Sequence, residues 1–102
     1  MSSPTIFYAL FHSPGPRWNS GTDFRQQDGV GAHIQYMSEQ LEAGNLVFGG
    51  PFLDDTGGMM ILRAEDLESA QTIAAADPTV ADGLLLVQVK PWLMAMESFD
   101  PK

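Results

Sequence analysis

The sequence contains no cysteine, which removes disulfides, thiolate nucleophiles and cysteine-based metal sites together. Positive charge is scarce as well: five Lys and Arg stand against 13 Asp and Glu, for a formal net charge of −8. The bases, Arg17, Arg25, Arg63, Lys90 and Lys102, are scattered rather than gathered into the basic stripe that a phosphate backbone would require. Nucleic acid and anionic membrane are therefore not expected as partners. No segment approaches the roughly 20 apolar residues that span a bilayer. Residues 1–10 carry no basic leader followed by a long apolar stretch, so a cytoplasmic location is expected. Low-complexity tracts and linkers are absent, and the halves share no repeat beyond their pattern of elements.

What is present suits one small domain. The chain has 102 residues, 44% of them hydrophobic and 18% charged, which is enough to fold and too short for a second core. Residues 5–12 (TIFYALFH) alternate Ile6, Tyr8 and Leu10 with Phe7, Ala9 and Phe11, and apolar residues on both faces suit a central strand. Residues 13–27 hold Pro14, Gly15, Pro16, Asn19, Ser20 and Gly21 and read as a long loop. Trp18 at its centre either closes over a ligand as part of a lid or anchors the loop to the core.

Over 28–43, Val30, Ile34, Met37 and Leu41 recur at helical spacing, and Gly44 suits the cap that follows. A strand over 46–48 ends in Gly49-Gly50-Pro51. Turn chemistry at 54–57 leads to a strand over 58–64, so these two should pair as a hairpin. Glu65 and Asp66 open a second helix with a stripe at Leu67, Ala70, Ile73 and Ala74. Asp77-Pro78 ends it. Residues 78–83 form a turn or single helical turn, and 84–89 (LLLVQV) read as a buried strand.

The order β, α, β, β, α, β predicts an α+β, ferredoxin-like βαββαβ fold: a four-stranded antiparallel sheet with two helices on one face. The uncovered face invites a second copy, giving a two-fold homodimer. Residues 93–102, with Met94, Met96 and Phe99, either cross that interface or form a loose tail.

Two polar residues break the local pattern. His33 lies beside the apolar stripe of the first helix. Asp77 ends the second, where the helix dipole opposes a carboxylate by roughly 0.3–1 kcal/mol. With both helices on one face the two side chains can converge. A carboxylate on one imidazole nitrogen would fix the tautomer and leave the other as a general acid or base. The bland alternative is a satisfied semi-buried histidine and a helix-terminating Asp bonded to nearby backbone. His12 could complete a two-His, one-carboxylate metal set, but no paired ligand spacing supports it, and neither metal nor cofactor is expected. Gly49-Gly50-Pro51 either lines a ligand pocket with bare backbone or marks a strand bend. Arg17 and Arg25 could clamp a substrate carboxylate or simply be solvated.

His33-Ile34-Gln35-Tyr36-Met37 through Leu41, Gly44 and Leu46, then Gly50-Pro51-Phe52, Asp55, Gly57-Gly58, Ala70 and Asp77-Pro78 together resemble the YciI-like (YCII-related) family over about residues 5–92. The resemblance implies a dimeric α+β barrel with a site at His33 and Asp77. It also implies kinship with a dehydrochlorinase of chlorinated aromatic breakdown and a fold similar to that of muconolactone isomerases, which carry out cofactor-independent proton chemistry on small rings. Thr79 replaces the bulky aromatic often found after Asp-Pro in this family.

The expectation is thus a lyase- or isomerase-type catalyst in which His33 moves a proton and Asp77 orients it, with Trp18, His12, Gly50 and Pro51 contacting the substrate. The competing readings are a non-catalytic small-ligand-binding or accessory module, and a dimer in which the pair only locks helices to sheet.

Overall fold

The computed structural model describes residues 5–98. Its strands are β1 (Thr5–Pro14), β2 (Leu46–Pro51), β3 (Gly58–Leu62) and β4 (Leu85–Met94); its helices are α1 (Val30–Glu42), α2 (Leu67–Ala75) and the single turn α3 (Pro78–Ala81). The strands form one sheet in the order β2-β3-β1-β4, every neighbouring pair antiparallel. This is the expected α+β, ferredoxin-like arrangement, with β1 central and β2 and β3 paired as a hairpin. No helix among the described residues is long and apolar enough to cross a membrane.

Alternation along β1 sorts its side chains between two layers. Tyr8 and Leu10 pack under α1 and α2 with Met37, Ala70, Ala74 and Leu62. Phe7 and Ala9 point to the opposite face and cluster there with Ile61, flanked by Phe11, Val47, Met59 and Met94. That face carries no helix, yet Phe7, Ala9 and Ile61 are buried because these flanking side chains close around them.

Several boundaries differ from the sequence reading, each for a local reason. β4 runs five residues past Val89, through Pro91 to Met94; β4 is an edge strand, where a missing N–H costs no ladder bond. It is also only half buried: Val87 and Val89 face the helices, while Leu86 remains 54% exposed. β2 continues through Gly49 and Gly50, since a side chain at Gly49 would collide with Met60 on β3. On α1 the buried residues are Val30, His33 and Met37, whereas Ile34 and Leu41 stay about half exposed. The spacings i+3 and i+4 both fit a 3.6-residue turn, and packing chose the face one position over. Asp77 does not close α2. Ala76 caps that helix, and Asp77 is the N-cap of α3. Of the C-terminal segment, Met94 ends β4 and Met96 is 90% exposed, while Phe99 lies outside the described residues.

The 13–27 loop is held down. Its backbone bonds to the turn before β4 through Gly15 N to Leu84 O (2.9 Å) and Arg17 N to Gly83 O (3.0 Å). Gln27, buried, staples it from within: its amide donates to Asn19 O and Thr22 O, both 2.7 Å, and accepts from Asn19 N at 2.8 Å. Gly57 holds the β2–β3 turn against β1 with φ +126°, and a Cβ there would collide with the His12 carbonyl. Gly57→Ala is therefore expected to destabilise the fold by about 2 kcal/mol, readable as a lowered Tm.

Candidate functional site

His33 and Asp77 meet. His33 Nδ1 lies 2.5 Å from Asp77 Oδ2, with both residues buried, at 4% and 0% exposure. α1 presents His33 toward the sheet, and α3 presents Asp77 because its cap geometry fixes the carboxylate. Asp77 Oδ1 accepts from Thr79 N at 2.9 Å and Thr79 Oγ1 at 2.7 Å. The cost expected from the α2 dipole is thus offset by the start of the next helical turn. Thr79, fully buried, is a partner that sequence reasoning passed over; a hydroxyl two residues after an Asp-Pro N-cap is the signal that could have found it.

Burial pushes the Asp77 carboxyl upward, but the hydrogen bond from His33, the bonds from Thr79 and the His33 charge outweigh it, so its pKa lies below the ordinary value. Asp77 is therefore anionic at neutral pH and accepts the Nδ1 proton of His33. Nε2 is left as the free nitrogen of that ring.

His12, on β1, joins the pair from the sheet. Its ring meets that of His33 edge-on, with centroids 4.9 Å apart and planes at 70°, and its Nε2 is 3.9 Å from Asp77 Oδ2. Burial, reinforced by His33 and partly offset by Asp77, lowers its pKa to about 4. His12 is accordingly a neutral imidazole at pH 7, and its approach to Asp77 is not an ion pair.

His12 and His33 line a cavity of about 290 Å³. Ile34, Met37 and Leu41 of α1, with Met60 and Leu85, give it hydrocarbon walls. Gly49, Gly50, Pro51, Gly57 and Gly58 supply bare backbone, and no Lys or Arg is among its described lining residues. Of the sequence candidates, His12, His33, Gly50 and Pro51 therefore border one space, and Asp77 stands directly behind His33.

Trp18 is not brought there. It packs against Val30, Leu84 and Leu85 and borders a separate hollow with Asp54 and Asp55. Phe24 is the residue that the loop contributes to the cavity, and nothing in the spacing of the loop singled it out. Ile34 and Leu41, placed in the core by their periodicity, are cavity wall instead. Arg17 is engaged with Asp82 at 2.9 Å and with Asp28 O at 3.1 Å, and Arg25 borders another surface hollow.

Known proteins share this architecture. The solved structure of 5-chloro-2-hydroxyhydroquinone dehydrochlorinase from Burkholderia phenoliruptrix AC1100, in complex with 2,5-dihydroxybenzoquinone, superposes with a TM-score of 0.64 at 25% identity, covering 84% of this chain and 92% of that one. The Bacillus subtilis (strain 168) protein YjpA is 35% identical over 71 residues, 70% of this chain and 84% of that protein. The YCII-related domain matches residues 6–93, a span that holds all four strands nearly whole together with His33 and Asp77. On that match the chain belongs to the YCII-related domain family.

Proposed function

We propose that this chain is a cofactor-independent acid/base catalyst acting on a small hydroxylated ring, in a lyase- or isomerase-type reaction. The observation that carries the reading is the buried His33–Asp77 hydrogen bond beside an apolar cavity. Asp77 holds the proton on Nδ1, so Nε2 is the nitrogen left to exchange a proton with substrate and serves as the acid/base group. A proton taken from the ring or its hydroxyl is then returned to another ring atom, which is isomerisation. Alternatively it is lost while chloride departs with the electron pair of its C–Cl bond, which is elimination of HCl and requires no oxidant. The name of the structurally similar dehydrochlorinase supports the second course. A ring with small polar substituents also suits walls that are largely hydrocarbon, with His12 and His33 among the few polar side chains of the lining.

The test is incubation of the chain with chlorinated hydroxyhydroquinones and unsaturated lactones, following chloride release and the ring absorbance. Turnover is expected. A ring that raises Tm without being consumed would instead favour a binding or accessory module.

The same reading includes a homodimer formed through the helix-free face. Leu86 and Trp92 point outward there at 54% and 39% exposure, and Trp92 adjoins Phe7 with ring centroids 6.3 Å apart. Trp92→Glu should convert a dimer into a monomer in light scattering, while circular dichroism stays native. A wild-type chain that already runs as a monomer at micromolar concentration would remove the dimer.

A further inference from the structure

We propose that His12, His33 and Asp77 also form a binding site for a divalent transition-metal ion of the zinc class, and that occupancy switches the acid/base pair off. His12 carries the argument. It is 3% exposed, and neither of its ring nitrogens has a hydrogen-bond partner among the described residues. A neutral imidazole has one N–H to donate and one lone pair to offer, and buried groups of this kind are rarely left unpaired without a functional reason. The ring is not an isolated curiosity of the core, because it borders the cavity beside His33.

The three side chains can each direct one ligand atom to a common point. Those atoms lie within 4.8 Å of one another, with His33 Nδ1 at 2.5 Å and His12 Nε2 at 3.9 Å from the same Asp77 oxygen. Two imidazoles and a carboxylate suit zinc, cobalt or iron. Bond lengths of roughly 2.0–2.2 Å separate neighbouring ligand atoms by about 3–3.5 Å, so His12 needs to close by about 1 Å or less on Asp77, the widest pair of the set to close by up to about 2 Å, and His33 to open slightly from Asp77. Thr79 holds the second carboxylate oxygen in place, the kind of outer support that orients metal ligands. Three protein ligands leave a coordination position open, as in catalytic rather than structural zinc sites.

Metal and proton compete in this arrangement. An ion bound to His33 Nδ1 and Asp77 Oδ2 replaces the proton that they share, which releases that proton to solvent and removes the tautomer control on which the base depends. The inhibitory consequence rests on the acid/base reading above, whereas the binding itself does not.

The experiment is titration of the chelator-treated full chain with Co²⁺, followed by competition with Zn²⁺. Expected are one ion per chain, visible d–d absorption, and affinity lowered about 100-fold or more by His12→Phe. In the native chain, saturating Zn²⁺ should abolish the Nδ1–H resonance of His33 in ¹⁵N spectra. Absence of cobalt absorption at millimolar metal, undiminished affinity in a folded His12→Phe, or persistence of that resonance at saturation would each overturn the site; should His12→Phe not fold, the resonance in the native chain decides. Turnover by the chelated chain, measured alongside, reports on the acid/base reading separately, so loss of metal binding with turnover intact removes this proposal alone.

Discussion

Asp77→Ala is expected to lower folding stability by about 3 kcal/mol, a fall in Tm of roughly 12–24 °C for a domain of this size. The carboxylate is fully buried and serves three donors, His33 Nδ1, Thr79 N and Thr79 Oγ1. Alanine removes the N-cap of α3, worth about 1 kcal/mol, and strands those buried donors at about 1–3 kcal/mol each; relief from burying a charge offsets part of the sum. Asp77→Asn should behave differently. Its amide oxygen can still cap Thr79, so most of the stability remains, but its NH₂ now faces His33 Nδ1 and drives the ring proton to Nε2. The base becomes a donor. Turnover of any ring identified as substrate should therefore fall by roughly 10²–10⁴ in kcat/KM in a protein that is still folded. An asparagine variant as active as the native chain would show that tautomer control has no part in the chemistry.

The second large effect is on acid stability, and it belongs to His12. Its pKa falls from 6.5 to about 4 on folding, chiefly through burial, with His33 adding to the shift and Asp77 opposing it. Between these values the unfolded chain binds a proton that the native chain refuses. The contribution of the neutral ring to stability is therefore complete above pH 6.5 and is lost progressively as the pH falls to about 4, amounting in all to about 3 kcal/mol. The lowered carboxyls of Asp54, Asp66 and Asp77 lose their contributions only as the pH falls below their ordinary value of 3.8, so among these lowered groups only His12 changes in the upper window, and comparison with His12→Phe assigns the loss. Urea unfolding near pH 7 and about pH 4.5 should show the loss in the native chain and a flatter profile in His12→Phe. Equal slopes in the two proteins would locate the acid sensitivity elsewhere.

Periodicity and punctuation in the sequence determined a good deal. Two-residue alternation in 5–12 gave a central strand with two apolar faces. Gly44, Asp66 and Pro78 marked helix ends, and the order of elements led to a four-stranded antiparallel sheet. These are local properties: a strand pattern, a cap and a proline act within a few residues of themselves, so the chain displays them before it folds. The resemblance spread over the chain reached the family by the same route, through short motifs in a fixed order.

The site was decided by tertiary structure. Spacing nominated His33 and Asp77 but left open whether they meet, because their approach depends on how α1 and the Asp77 cap are laid on one sheet. Periodicity could not choose between Ile34 and His33 as the buried neighbour of Met37, since one turn of helix accommodates either; contact with the sheet made the choice and turned Ile34 and Leu41 into cavity wall. From its place in the loop Trp18 reads as either a lid or an anchor, and with the loop backbone bonded to Gly83 and Leu84 it packs as an anchor on the Val30, Leu84 and Leu85 cluster. His12, at the end of a strand, reads from the sequence as a substrate contact and as a third metal ligand without supporting spacing. What distinguishes it, burial without a hydrogen-bond partner beside a second imidazole and a carboxylate, exists only once three separated segments share one buried volume at the edge of the cavity.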